Sequence, residues 1–101
     1  MADNPSFPVA TAAISWIDSQ GGLHVHVYSS DGYNVVERYV NSGSGGWQTG
    51  TLNAPGSDVS ATCWQDSDGD HIRVYCTFED TTTEWCSDAG QGWKKGAYTQ
   101  P

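Results

Sequence analysis

The runs His24-Val25-His26-Val27-Tyr28 and His71-Ile72-Arg73-Val74-Tyr75 decide the fold, because they are two copies of one pattern. A glutamate follows the tyrosine nine residues later in both copies, as Glu37 and Glu84. Further matches extend the repeat on either side: Ala13-Ile14-Ser15-Trp16 with Ala61-Thr62-Cys63-Trp64, and Gly46-Trp47-Gln48-Thr49-Gly50 with Gly92-Trp93-Lys94-Lys95-Gly96. The period is about 47 residues, so the sequence predicts two structural copies.

Each copy contains four short segments rich in β-branched and aromatic residues, separated by turns rich in Gly, Asp, Ser and Asn. The predicted strands are 11–17, 23–29, 34–40 and 47–52 in the first copy, and 59–65, 71–77, 81–87 and 93–99 in the second. Four short antiparallel strands repeated at about 45 residues are typical of a propeller blade. We therefore predict an all-β fold with a leader over residues 1–9 and two four-stranded blades over 10–55 and 56–101.

A β-propeller contains about four to eight blades, and two blades alone would expose apolar faces and unpaired strand edges. The remaining blades are expected to come from further copies of the chain. Two copies would close a four-bladed ring and three copies a six-bladed one. The competing interpretation is a single eight-stranded sandwich or barrel that arose by duplication.

The charge balance narrows the range of partners. Among 101 residues, 4 are Lys or Arg and 12 are Asp or Glu, which gives a formal net charge of -8. Nucleic acid and anionic membrane surfaces are poor partners for such a chain, because both are held by several basic residues. The sequence has no apolar run of about 18 residues that could span a bilayer, and no signal peptide layout in residues 1–8. We expect a soluble protein, with a cytoplasmic location and export by another route both open.

Neither a metal site nor a catalytic motif is evident. Cys63, Cys76 and Cys86 leave at least one thiol free, and their spacing does not match a zinc site. They are interpreted as small strand residues, with one cross-strand disulfide as the alternative. The run from Asp66 to Asp70 lacks the Gly and Glu positions of a calcium loop, so an acidic hairpin turn is predicted. Motifs for nucleophiles, phosphate loops and zinc proteases are missing, so we expect no enzyme activity, no cofactor and no metal.

The combined series of motifs resembles the blades of the fucose-binding six-bladed propeller lectins. The resemblance covers the Aleuria-type fungal lectins and their short two-blade relatives of the Ralstonia type. The segments that carry it are Ala13-Ile14-Ser15-Trp16, Ile72-Arg73-Val74-Tyr75, Thr83-Glu84-Trp85 and Gly92-Trp93-Lys94-Lys95-Gly96-Ala97. The resemblance implies a homotrimer that closes a six-bladed ring, with sugar sites between neighbouring blades.

In that family an Arg and a Glu of one blade, a backbone amide of its last strand and an aromatic residue of the next blade hold the sugar. Carried over, these roles imply one site between protomers and one within the chain. The site between protomers would use Arg73, Glu84, Ala97 and Trp47; the site within the chain would use His26, Glu37, Thr51 and Trp93.

Two departures from the family pattern affect these sites. His26 stands at the arginine position, and imidazole lacks the forked set of five donors. We hypothesise that this site is weak, selective for another sugar, or dependent on protonation of His26. An aromatic residue three positions after the Glu is replaced by Val40 and Ser87, so one pocket wall is expected to be smaller. Tyr39 and Trp85 lie nearby but are expected to be turned differently by strand alternation.

The leading hypothesis for function is a multivalent lectin for L-fucose and fucosylated glycans. The alternatives are a structural propeller that mediates protein–protein interaction and, third, a propeller glycosidase. A glycosidase needs two carboxylates at one site, whereas Glu37 and Glu84 are equivalent positions of two repeats and are expected in different sites.

Overall fold

The computed structural model describes residues 7–43 and 45–101, and the described part of the chain is all-β. It contains eight strands. They are β1 (Ala10–Ile17), β2 (Leu23–Ser30), β3 (Asn34–Asn41), β4 (Gln48–Pro55), β5 (Asp58–Asp66), β6 (Gly69–Phe78), β7 (Thr81–Asp88) and β8 (Trp93–Lys95). Most of the predicted leader, residues 1–6, lies outside the described residues.

The strands form two antiparallel sheets of four, each with its strands in chain order. The first sheet is β1-β2-β3-β4 and the second is β5-β6-β7-β8. This confirms the prediction of two four-stranded units. No ladder joins the two sheets among the residues that are described, so these strands do not form one continuous barrel.

Side-chain alternation along the strands gives each sheet two different faces. In β2, Tyr28 and Ser30 are buried and face the second sheet. In β6, Ile72, Val74 and Cys76 are buried and face the first sheet, whereas Arg73 and Tyr75 point the other way. The core therefore lies between the two sheets.

The two sheets make their most extensive contact through their first strands, β1 and β5. Trp16 near the end of β1 is buried in the common core. Trp64, its counterpart in β5, is 41% exposed because nothing in the described chain covers its side of the second sheet. The described residues fill a flat volume of 45 × 38 × 18 Å.

The last strand of the second sheet differs from its prediction. The expected strand over 93–99 ends at Lys95, and the last backbone hydrogen bond to β7 beyond it runs from the Gly96 amide to the Glu84 carbonyl. In the first sheet the corresponding ladder shifts register between Val36 and Arg38 and then continues to Pro55. In the second sheet the side chain of Gln100 takes over instead: its amide oxygen accepts from the Thr82 backbone amide and its amide nitrogen donates to the Asp80 carbonyl.

The structure also answers two smaller predictions, one about the turn after Asp66 and one about the cysteines. The segment from Asp66 to Gly69 is a tight hairpin turn in which the Asp68 backbone amide donates to the Asp66 carboxylate, as predicted. Cys63, Cys76 and Cys86 are all free thiols, so the cross-strand disulfide is not formed. Within residues 7–43 and 45–101 there is no helix long and apolar enough to cross a membrane.

Candidate functional site

A tyrosine–glutamate pair recurs at one place in both sheets. Tyr28 lies directly opposite Glu37 in the ladder of β2 and β3, and Tyr75 lies opposite Glu84 in that of β6 and β7. Each tyrosine hydroxyl donates a hydrogen bond of 2.8 Å to the Oε2 atom of its glutamate. The sequence repeat therefore places two carboxylates, each held by a phenol, on equivalent faces of the two sheets.

Glu37 is almost completely buried, since only 4% of the residue is exposed. Burial raises the pKa of its carboxyl, but hydrogen bonds with His26 and Tyr28, with a smaller contribution from Trp93, outweigh burial and lower the pKa overall. His26 Nδ1 lies 3.0 Å from Glu37 Oε2. The proximity of Glu37 raises the pKa of Tyr28 further, beyond the effect of burial, so Tyr28 stays a hydrogen-bond donor.

A cavity of about 210 Å³ opens beside this pair, between the two sheets. All four residues predicted for the site within the chain line it: His26, Glu37, Thr51 and Trp93. Trp93 comes from the second sheet and meets the edge of the Tyr28 ring at a centroid distance of 6.0 Å. The structure thus brings the residues of this predicted site together.

Tyr39 also lines this cavity, which corrects the expectation that strand alternation turns it elsewhere. It lies two residues after Glu37, and strand residues two apart share a face. Its ring stacks on His26 at a centroid distance of 5.2 Å, and its hydroxyl donates to the Gln48 side chain. Ser87 lines the cavity from the second sheet. Tyr39 thus supplies the aromatic wall that the family pattern places three residues after the glutamate, where this chain has Val40.

Glycine is required where the last strand passes each carboxylate. A Cβ atom at Gly50 would overlap the carboxylate of Glu37, and one at Gly96 would overlap that of Glu84. In the first sheet the ladder shifts register between Val36 and Arg38. This irregularity is a bulge, and it lies at Glu37. The glycine repeat therefore reflects a close approach of backbone to carboxylate.

The second predicted site is only partly assembled within the described chain. Glu84 accepts from the Tyr98 backbone amide through Oε1 at 3.1 Å, and Ala97 is next to this contact. The hydrogen bond from Tyr75 is the main cause that lowers the pKa of the Glu84 carboxyl, and the backbone amides of Tyr98 and Ala97 act in the same direction. Arg73 lies on the same face of the second sheet as Tyr75. Tyr75, Glu84 and Tyr98 are more exposed than their counterparts in the first sheet, which are buried.

Trp47, the fourth residue of that prediction, is not brought to Arg73. It is 50% exposed, immediately before β4 in the first sheet, and makes no contact with Arg73 or Glu84 within residues 7–43 and 45–101. Its proposed partners lie on the far side of the second sheet. Within the described residues, Trp47 and Arg73 therefore do not form one site.

Two histidines form contacts that the sequence analysis did not predict. His71 Nδ1 lies 2.6 Å from Asp88 and its Nε2 lies 2.8 Å from Asp66. His24 is held in the same way, by Asn41 at 2.6 Å and Asp18 at 2.7 Å. The sequence repeat could have revealed these contacts. An acidic residue lies five or six positions before each histidine, and Asn41 or Asp88 lies 17 positions after it. The hydrogen bonds to Asp88 and Asp66 raise the pKa of His71.

The cavity has the chemistry of a site for a neutral polyhydroxylated ligand. A fixed carboxylate accepts hydrogen bonds from hydroxyls, an imidazole can donate or accept, and tryptophan offers an apolar face with one N–H donor. No group of three or more metal-binding side chains occurs in the described parts of the chain. The fold and the cavity define a duplicated β-sheet protein whose binding chemistry suits carbohydrate.

Sequence comparison identifies the family at this point. Residues 5–101 match the family described as fungal fucose-specific lectin, and the chain belongs to that family. A fucose-specific lectin of Aspergillus oryzae (strain ATCC 42149 / RIB 40) is 27% identical over 94 residues, which covers 87% of this chain and 30% of the relative. A second fucose-specific lectin of Aspergillus oryzae is 29% identical over 73 residues, covering 67% of this chain and 23% of the relative. The chain thus spans less than a third of the length of these relatives.

Proposed function

We propose that the protein is a multivalent lectin that binds L-fucose and fucosylated glycans at sites between neighbouring blades, without enzyme activity. The observation that carries the proposal is the cavity of about 210 Å³ in which His26 and Glu37 of one sheet meet Trp93 of the next. Membership of a fucose-specific lectin family supports the choice of sugar.

The residues offer complementary contacts to a deoxy-sugar. Glu37 already accepts from Tyr28 and lies near His26, and its remaining lone pairs can accept from sugar hydroxyls. Trp93 and Tyr39 provide aromatic faces for the apolar C–H groups and the methyl of fucose, each contributing on the order of 1 kcal/mol. Thr49, Gly50 and Thr51 also line the cavity.

A homotrimer would complete the protein as a six-bladed propeller. On the first sheet, the face that carries Tyr28 is covered by the second sheet, and Leu52 is buried there. On the second sheet, the equivalent face is open: Trp64 is 41% exposed and Tyr98, at the position of Leu52, is 44% exposed. A second copy that packed its first sheet here would repeat the contact already made within the chain.

The surfaces and the family both fit this assembly. Val36 is half exposed on the face of the first sheet that turns away from the second, which is the face that would meet a preceding copy. About three chains of this length would span the relative of which 94 aligned residues make up 30%. In the ring, Trp47 of the next protomer would join Arg73, Glu84 and Ala97 in three further sites.

The two kinds of site would differ in affinity. The site within the chain has His26 in place of arginine, and we propose that it binds more weakly, prefers another sugar, or depends on protonation of His26. The site between protomers retains Arg73, whose guanidinium can donate two parallel hydrogen bonds to neighbouring oxygens. Several shallow sites on one ring would bind glycan-covered surfaces through avidity.

Isothermal titration of L-fucose into the purified protein tests this proposal. Saturable binding, with agglutination of fucosylated cells that L-fucose inhibits, is the expected result. Absence of heat with L-fucose, together with no inhibition of agglutination, would overturn the assignment. Release of fucose from a chromogenic fucoside would instead show a glycosidase.

A further inference from the structure

At one end of the second sheet, Asp88 contacts both Arg73 and His71, and His71 in turn contacts Asp66. Its Oδ1 atom accepts from Arg73 Nη1 at 2.8 Å and lies 2.6 Å from His71 Nδ1. The other nitrogen of His71 lies 2.8 Å from Asp66 in the turn between β5 and β6. Asp88 is the last residue of β7 and lies directly opposite His71 in the ladder. The backbone therefore fixes Asp88 and His71 relative to each other.

The guanidinium of Arg73 is held on two further sides. Nη1 also donates to the carbonyl of Ile72 at 3.0 Å, and the guanidinium carbon lies 4.8 Å from the Trp64 ring centroid. Both hydrogen bonds use Nη1, so within the described part of the chain Nη2 and Nε make no hydrogen bond. An arginine held by one corner of its fork keeps the other donors for a ligand.

The first sheet shows what changes when the arginine is absent. His26 occupies the position of Arg73, and Asn41 occupies the position of Asp88. Asn41 lies 2.6 Å from His24, just as Asp88 does from His71, so an amide suffices for the contact with the histidine. The carboxylate at position 88 makes one further contact, with the guanidinium of Arg73.

We propose that Asp88 is a positioning residue for Arg73, and that His71 holds Asp88 in place for this role. The inference rests on the proposed function, in which Arg73 donates to the bound sugar. A long side chain that is already ordered before binding loses less conformational freedom when the ligand arrives. Without the carboxylate, Arg73 would have to be ordered by the sugar itself.

The test compares Asp88→Asn with the matched variant Asn41→Asp. Asparagine at 88 can keep the contact with His71, as Asn41 does with His24, but it removes the charge opposite Arg73. In titrations with L-fucose, we expect Asp88→Asn to weaken the Arg73 sites by about threefold to tenfold. Asn41→Asp should leave those sites unchanged, and both variants should keep the wild-type melting temperature within a few degrees.

A measurement without sugar separates this inference from the proposed function. The NMR signals of the Arg73 guanidinium in the unliganded protein should show restricted rotation in the wild type and averaged rotation in Asp88→Asn. If wild type fails to bind L-fucose, the proposed function fails, and the guanidinium signals still decide whether Asp88 orders Arg73. Guanidinium signals that are the same in both proteins would overturn the positioning role, whatever the sugar titration shows.

Discussion

The carboxylate of Glu84 occupies the space in which a side chain at Gly96 would begin. The Sγ atom of Cys86 borders the same space. The first sheet repeats the relationship between Glu37 and Gly50. The backbone at each glycine therefore fixes the depth at which the carboxylate lies, and this depth sets where a ligand can meet it.

Gly96→Ala should displace Glu84 and destabilise the second sheet. Overpacking of this kind costs about 1–3 kcal/mol in the free energy of unfolding. Denaturant unfolding measures that cost, and titration with L-fucose should show weaker binding at the Arg73 sites. Gly45→Ala is the control, because a Cβ atom there meets nothing within 4 Å. Equal stability of the two variants would show that Glu84 can move without cost.

Removal of one hydroxyl tests how each tyrosine–glutamate pair is enclosed. Tyr28→Phe leaves a buried carboxylate with one hydrogen bond fewer, which should cost about 1–3 kcal/mol of stability. In a single chain Tyr75 is only half-buried, so Tyr75→Phe would cost less. In the proposed ring a second copy covers Tyr75, and the two variants should then lose similar stability in thermal or denaturant unfolding. A clearly smaller loss for Tyr75→Phe would argue that this face stays open.

The histidine contacts predict a stability maximum between about pH 4 and 6.5. Burial lowers the pKa of His24, but the hydrogen bonds that its ring makes to Asp18 and Asn41 outweigh burial, so the pKa rises above 6.5, as does that of His71. A raised pKa in the folded state gives stability that is complete below the unfolded pKa and is lost as pH rises through the folded one. The same contacts lower the pKa of the carboxyls of Asp18, Asp66 and Asp88 below 3.8, so their stabilisation is lost as pH falls through the folded values.

Melting temperature as a function of pH checks this prediction. The double variant His24→Gln/His71→Gln should lose the decline on the alkaline side, because Gln does not titrate. A wild-type profile that is flat above pH 6.5 would contradict the role given to the two histidines.

The repeat was sufficient to predict the two sheets, whereas the residues that line the cavity were expected from the family resemblance. Equal spacing of Tyr28, Glu37, Tyr75 and Glu84 fixes their cross-strand partners, since antiparallel strands joined by short turns have a set register. Tyr39 was missed because its alternation was misjudged, although it shares a face with Glu37. β8 ends early beside the close approach between Gly96 and Glu84. That approach depends on packing between strands, which local strand propensity does not describe. The expected meeting of Trp47 and Arg73 stays a prediction, because it rests on the proposed ring.

The difference between the two sites predicts a route to strengthen the weaker one. The double variant His26→Arg/Asn41→Asp would rebuild the chemistry of Arg73 and Asp88 in the first sheet. We expect a higher affinity for L-fucose at the site within the chain than His26→Arg alone provides, by about threefold to tenfold, because the carboxylate orders the new guanidinium. Titration with L-fucose of both variants measures the difference. Identical affinities would show that the carboxylate contributes nothing at this position.

Native mass spectrometry with L-fucose reports assembly and sugar binding of the proposed trimeric lectin in one spectrum. The chain has a mass of 10.9 kDa, so a trimer of about 33 kDa is expected. This species should bind L-fucose, and Arg73→Ala should keep the trimer but lose the sugars bound between protomers. A monomer, or a trimer that binds no L-fucose, would rule out the proposed trimeric lectin.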